Sequence, residues 1–261
     1  MSMLSNISWS SLQVWRRNRD VFFTTWKTNF IPPFLEPVLY LTAMGLGFGV
    51  LIGQVEYHGS LYDYAKFLAP GLIAISIMYS AFFECTYGSF IRMHYQKTFD
   101  AIIATPVSIE DVIVGEMLWG ATKAFLNSSI VLVVIVVAGL ADFPGVLLVP
   151  VVAFLGGLMF AAIAMVFTAV VPNIDSFNYP FFLLITPMFL FSGTFFPLTV
   201  LPAWGQDLAL LMPLTHVTTM IRDFSFDTYQ IMDLVGLVFI TVLTIIMFLA
   251  AIRMMRKRLI N

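Results

Sequence analysis

The residues able to do chemistry are few and scattered: 15 Asp and Glu, 13 Lys and Arg, 3 His and a single Cys among 261 residues. No Lys follows a Gly anywhere, so the G-x-x-x-x-G-K loop that cradles phosphates is missing, and any nucleotide-driven work must come from another chain. Neither H-E-x-x-H nor G-x-S-x-G occurs. His58, His94 and His216 lie far from one another in the chain, which argues against a metal site. No catalytic constellation, cofactor or nucleic-acid partner is expected, and the chain reads as a non-enzyme.

What remains are ionisable groups inside or beside long apolar runs, where a charge is costly and tends to face protein or a wet cavity. Glu36 sits one turn into such a run behind Pro32 and Pro33. It reads either as a carboxylate favoured at a helix N-terminus or as a contact at the mouth of a path. Glu84 precedes Arg92 by about two turns and reads either as path lining or as helix packing. Arg222 beside Asp223, with His216, reads either as a structural pair or as an outer mouth. Lys123 reads as a snorkelling anchor.

The elements that position these groups follow from composition. Hydrophobic residues make up 60% and charged residues 11%, against roughly 45–50% and 25% in an average soluble domain. A soluble exterior needs more charge than this, so lipid is the natural solvent. Spanning a membrane takes ~20 mostly apolar residues. Charge-free runs place helices near 30–53, 67–91, 112–141, 145–171, 177–196 and 232–253, with a seventh span possible. Residues 197–223, broken by Pro197, Pro202 and Pro213, read better as an outer re-entrant segment. The expected fold is an all-α membrane protein, residues 1–261 forming one transmembrane domain.

Ten of the thirteen basic residues lie before the first span, between the second and third, or after the sixth. By the positive-inside tendency these segments, and both termini, are cytoplasmic. Residues 1–28 show no cleavable-signal pattern. Their Leu4, Ile7, Leu12, Trp15, Phe22 and Trp26 recur at helical intervals with basic residues between, as in a helix lying in the headgroup layer. In the cytoplasmic loop 92–111, Phe99, Ile102 and Ile103 fall at i, i+3, i+4, predicting a short amphipathic helix. That helix suits either an adaptor into a partner's groove or a piece lying on the membrane. Ser108 and Asp111 predict a capping box for the third span.

Gly45, Gly47 and Gly49 predict close helix packing. Met188, Phe189, Phe191, Phe195 and Phe196 read either as lining for a lipid-accommodating path or as plain packing.

Several segments resemble the permeases of type-2 ATP-binding-cassette (ABC) exporters, in particular the NodJ-like lipo-oligosaccharide branch. They are LEPVLYLTAMGLGFG (35–49), FLAPGLIA (67–74), FDAIIATPVSIEDV (99–112), VIVGEMLWGATKAF (112–125), ITPMFLFSGTFFPLTVLP (185–202) and PLTHVTTMIRD (213–223). The resemblance implies a bacterial inner-membrane exporter built from two permeases, as a homodimer in lipid, and two cytosolic ATPase subunits. It also implies that Phe99, Asp100, Ile102, Ile103, Thr105, Pro106 and Val107 form the segment coupling to the ATPase. The cargo would be amphiphilic, a lipid-linked oligosaccharide or glycolipid first and a hydrophobic drug second. Glu36, Glu84, Phe191, Phe195, Phe196, His216 and Arg222 are the path candidates. An ion-gradient-driven transporter is the competing reading, and would want paired intramembrane carboxylates and inverted repeats.

Overall fold

The computed structural model describes residues 6–260; Leu4, part of the N-terminal periodicity, lies outside them. Helix α1 (Ser11–Thr24) buries Ser11, Val14, Asn18 and Phe22, a stripe at helical spacing. The stripe lies on the third membrane-length helix, where a Cβ at Gly115 would come within 2.6 Å of Val14. The Trp15 indole donates to Thr122 Oγ1 at 2.9 Å across the same contact. Tertiary packing, rather than amphipathicity alone, therefore holds α1.

Six helices are long and apolar enough to cross a membrane: Asn29–Ile52, Tyr64–Tyr95, Ile109–Val137, Gly145–Val170, Ile174–Phe191 and Ile231–Ile260, called spans 1 to 6. Their positions match the charge-free runs. A seventh span is excluded, because helices α3 (Ala203–Leu210) and α4 (Pro213–Ser225), which follow span 5, have only 8 and 13 residues. Helix α2 (Thr98–Ile103) lies between spans 2 and 3.

Spans 2 and 4 form the centre, with 78% and 61% of their apolar windows buried; span 1, at 6%, is peripheral. Spans 1, 2 and 5 also contain π-helical turns, at Leu41–Phe48, Glu84–Gly88, Ile91–Tyr95 and Phe181–Ile185. Such turns concentrate at functional sites because the widened ladder re-aims side chains. Of the three span 1 glycines, Gly45 alone makes a close approach: a Cβ there would meet Ala65 Cβ at 3.2 Å, whereas Gly47 and Gly49 face open space.

The two ends of the bundle differ. At one end the expected capping box closes, Asp111 N–H donating to Ser108 Oγ at 3.0 Å. Asp111 also accepts the Ser8 N–H and hydroxyl at 2.7 and 2.9 Å, which ties the segment before α1 to span 3. Arg256 of span 6 reaches Glu110 at 2.9 Å.

The opposite end carries a feature the all-helical expectation missed. Strands β1 (Gln54–Tyr57) and β2 (Ser60–Asp63) pair antiparallel around a two-residue turn. His58 and Gly59 have φ of 50° and 77°, the left-handed conformation that matches strand twist in such hairpins. Lys66 bonds Asp142 at 2.8 Å, and Asp142 N–H donates to the Ser225 carbonyl at 2.7 Å, tying spans 2 and 3 to α4.

Candidate functional site

Four charged side chains meet between spans 2 and 3. Arg92 lies 2.7 Å from Glu84 and 2.6 Å from Glu116. Lys123 sits 2.7 Å from the other Glu84 oxygen, and the Trp119 indole donates to Glu84 at 3.1 Å. Asn18 of α1 donates to Glu116 at 2.8 Å, and the Ser89 hydroxyl donates to it at 2.7 Å. Two carboxylates face two cations in direct ion pairs, the condition for tolerable burial, and the half-buried Arg17, bonded to Asn18, adds a third positive charge within electrostatic reach of Glu116 and Arg92. Glu84 is thus held by Arg92, Lys123 and Trp119. Glu116 was not among the sequence candidates, although Glu116, Trp119 and Lys123 form an i, i+3, i+7 stripe on span 3.

Lys123 also faces a cleft of about 430 Å³. Span 1 contributes Pro33 and Glu36, span 2 contributes Ser76, Tyr79, Ser80 and Phe83, span 3 adds Asn127, and span 5 adds Phe181. Glu36 is exposed and has no ion pair among the described residues. Asn127 donates to Ser80 Oγ at 2.8 Å, while its buried Oδ1 has no partner.

Phe191, Phe195 and Phe196 line a second, apolar groove of about 620 Å³ together with Tyr40, Met44 and Phe48 of span 1. Aromatic rings join the two cavities. Phe195 meets Phe189 at 5.0 Å, Phe189 stacks on Tyr79 at 5.8 Å, and Tyr79 leads to Phe83 at 5.8 Å. The ladder continues through Tyr87, Phe177 and Phe90 to His94, at the edge of the α2 loop.

The α2 loop corrects one expectation. Phe99 is fully buried in its own chain, and Ile102, Ile103 and Val107 are partly buried against the same core. The apolar stripe therefore anchors the loop helix. The exposed face carries small side chains, two of them polar: Asp100, Ala101, Ala104, Thr105 and Pro106.

His216 and Arg222 are not brought to either cavity. Arg222 is 2% exposed and donates to the carbonyls of Phe67, Gly193 and Thr194 at 3.2, 2.8 and 3.3 Å. Its guanidinium lies 3.9 Å from the Phe67 ring centroid. All of this fastens α4 to span 2 and the turn after span 5. His216 bonds the Leu210 carbonyl at 2.9 Å and packs on Phe239, and burial lowers its pKa. Asp223 accepts from the Tyr57 hydroxyl at 2.8 Å and lies 3.3 Å from His58. Burial pushes its pKa up to about 7; the neighbouring Asp233 adds to the rise, and the Tyr57 bond and Arg222 oppose it. Burial likewise raises the Tyr57 phenol.

Six membrane-length helices, an ion cluster between spans 2 and 3, and two separate cavities, one with polar lining and one aromatic, define a multi-pass membrane protein. The chain belongs to the ABC-2 type transporter family, whose model matches residues 11–226. It is 36% identical to nodulation protein J of Sinorhizobium fredii over 84% of this chain and 82% of the relative. It is 39% identical to nodulation protein J of Rhizobium leguminosarum bv. viciae over 81% and 80%. Identity to the inner membrane transport permease YadH of Escherichia coli K12 is 23%, over 84% of each chain. Permeases of this family are transport subunits that work with an ATP-binding subunit.

Proposed function

We propose that this chain is the permease of a bacterial inner-membrane exporter that moves an amphiphile outward, with two copies of the chain driven by two cytosolic ATPase subunits. The observation that carries the reading is the pair of cavities on spans 1, 2 and 5, one polar and one aromatic, matching a molecule with a polar head and an apolar tail. The relatives named for nodulation favour a lipo-oligosaccharide or related glycolipid, with a hydrophobic drug second. The basic end, with both termini, faces the cytoplasm, and α3 and α4 form a re-entrant hairpin on the outer side. The outward face of α2, with Asp100, Thr105 and Pro106, meets the ATPase. The sparsely buried apolar faces of spans 1 and 5 meet lipid and the second copy.

Ion-driven transport finds less support. Glu84 is neutralised by Arg92 and Lys123, which leaves Glu36 as the one unpaired carboxylate in the cleft. The test is affinity purification of the tagged full-length chain from native membranes in mild detergent. A stoichiometric cassette ATPase is expected among the co-purifying proteins. Its clean absence from a folded, active preparation would overturn the exporter reading.

A further inference from the structure

Helix α1 carries a basic face that its packing on span 3 does not use. Leu12, Arg16, Arg19 and Phe23 follow at i, i+4, i+7 and i+11, so they share one side of the helix, away from the buried Val14, Asn18 and Phe22. Arg16 is exposed and has no carboxylate partner among the described residues. Arg19 meets Asp20 at 2.7 Å through Nη2 and at 2.9 Å through Nε, which leaves Nη1 without an acceptor among the described residues. That pair is 40% and 65% exposed, so it holds the guanidinium weakly.

The same face leads to an apolar groove. The Arg19 guanidinium lies 5.4 Å from the Trp15 ring centroid, and the Trp15 indole donates to Thr122 at 2.9 Å. Thr122 lines a groove of about 490 Å³ between spans 3 and 4, with Phe125, Pro150, Val151, Phe154 and Leu155. Spans 3 and 4 are level where a Cβ at Gly157 would meet Ala124 at 2.9 Å. Pro150 lies about two turns beyond that level on span 4, so the groove runs on the order of 10 Å along the spans, away from the α1 side. It shares no residue with either cavity on spans 1, 2 and 5.

A basic pair, an aromatic ring and an apolar slot thus follow one another. Guanidinium groups donate in a fork that matches phosphate oxygens. A free anion would use the arginines and leave the slot idle. A zwitterionic lipid would fill the slot but bring its own cation to the arginines. We infer that α1 and this groove form a binding site for an anionic phospholipid, its phosphate on Arg16 and Arg19 and one acyl chain in the groove. The inner leaflet follows from the cytoplasmic side assigned to α1. The site stands whichever cargo the chain moves.

The test titrates the full-length chain in mild detergent with phosphatidylglycerol and, separately, with phosphatidylcholine of the same chains, and counts bound lipid by native mass spectrometry. Phosphatidylglycerol should bind more tightly. A basic residue at a membrane surface contributes about fivefold in affinity for anionic lipid. Arg16→Gln and Arg19→Gln should each weaken phosphatidylglycerol by about that factor, and the double variant should lose the headgroup preference. Val151→Trp fills the groove at an exposed position and should weaken both lipids alike. Lys257→Gln, at an exposed basic residue near the end of span 6, should change neither.

Equal binding of the two lipids, or wild-type binding in the double variant or in Val151→Trp, would overturn the assignment. So would an equal loss in Lys257→Gln, which would mark diffuse charge attraction, or full displacement by millimolar glycerol phosphate, which would mark a site for a bare anion.

Discussion

The ion cluster around Arg92 makes a quantitative prediction, because its two carboxylates are buried and its members are paired in sequence: Lys123 with Glu84, Glu84 with Arg92, and Arg92 with Glu116. Arg92→Met leaves Glu84 with Lys123 but removes the only direct ion pair of Glu116, leaving the Arg17 charge at longer range. That carboxylate, 1% exposed, keeps only the neutral donors Asn18 and Ser89. Breaking a buried pair by removing one partner costs about 3–5 kcal/mol. Glu116→Gln is milder, since Arg92 retains Glu84, and about 1.5–3 kcal/mol is expected for the lost charged hydrogen bonds. Arg92→Met with Glu116→Gln restores neutrality and should cost less than the sum of the single changes. The coupling should be on the order of 1–3 kcal/mol. The assay is thermal unfolding of the full-length protein in mild detergent, followed by tryptophan fluorescence, with Trp119 bonded to Glu84 as a local reporter. At 2–4 °C per kcal/mol for a chain near this size, Arg92→Met should lower the midpoint by roughly 10 °C. Additive effects would show that the cluster is not a coupled unit, and a double variant worse than the sum would refute the charge-compensation argument.

Two further predictions concern the two ends. At the α2 loop, Asp100→Arg with Thr105→Arg should reduce ATPase co-purification while leaving the melting midpoint within a degree or two, because both side chains are exposed. Phe99→Asp should instead lower the yield of folded protein, since it buries an unpaired charge; a stable Phe99→Asp chain that merely fails to bind the ATPase would refute the anchoring role. At the opposite end, the Asp223 pKa is raised to about 7, so its protonated form is favoured in the folded chain. Its contribution is therefore complete below the ordinary carboxylate range and lost as pH rises through about 7. Hydrogen exchange of residues 54–63, which Tyr57 ties to Asp223, should show stronger protection at pH 5 than at pH 8, and Asp223→Asn should flatten that dependence. An unchanged pH profile in the variant would remove Asp223 from the explanation.

The six spans could be read from the chain because lipid enforces one simple condition, a long run without unpaired charge. Where that condition fails locally, so did a boundary: span 2 runs on to Tyr95, past the expected end at 91, because Arg92 is paired with Glu84 and Glu116. The prolines of 197–223 were equally informative: Pro202 stands immediately before α3 and Pro213 opens α4. What periodicity cannot supply is which side of a stripe meets protein. Phe99 marks an amphipathic face correctly, yet that face turns inward, and the docking candidates become the small exposed residues between the apolar ones.

The aromatic ladder shows the same limit from the other direction. Tyr79, Phe83, Tyr87 and Phe90 form a stripe on span 2, and Phe177, Phe181 and Phe189 form one on span 5. Either stripe alone reads as ordinary packing. Only the adjacency of the two spans turns them into a continuous row of rings from the groove, past the polar cleft, to the edge of the α2 loop. Glu84 and Lys123 make the same point in charge: each alone looks like an intramembrane oddity, and together they are a neutral pair that leaves one lysine aimed at the cleft. The functional information in this chain therefore lies in pairs of residues on different spans, which no single stretch of sequence displays.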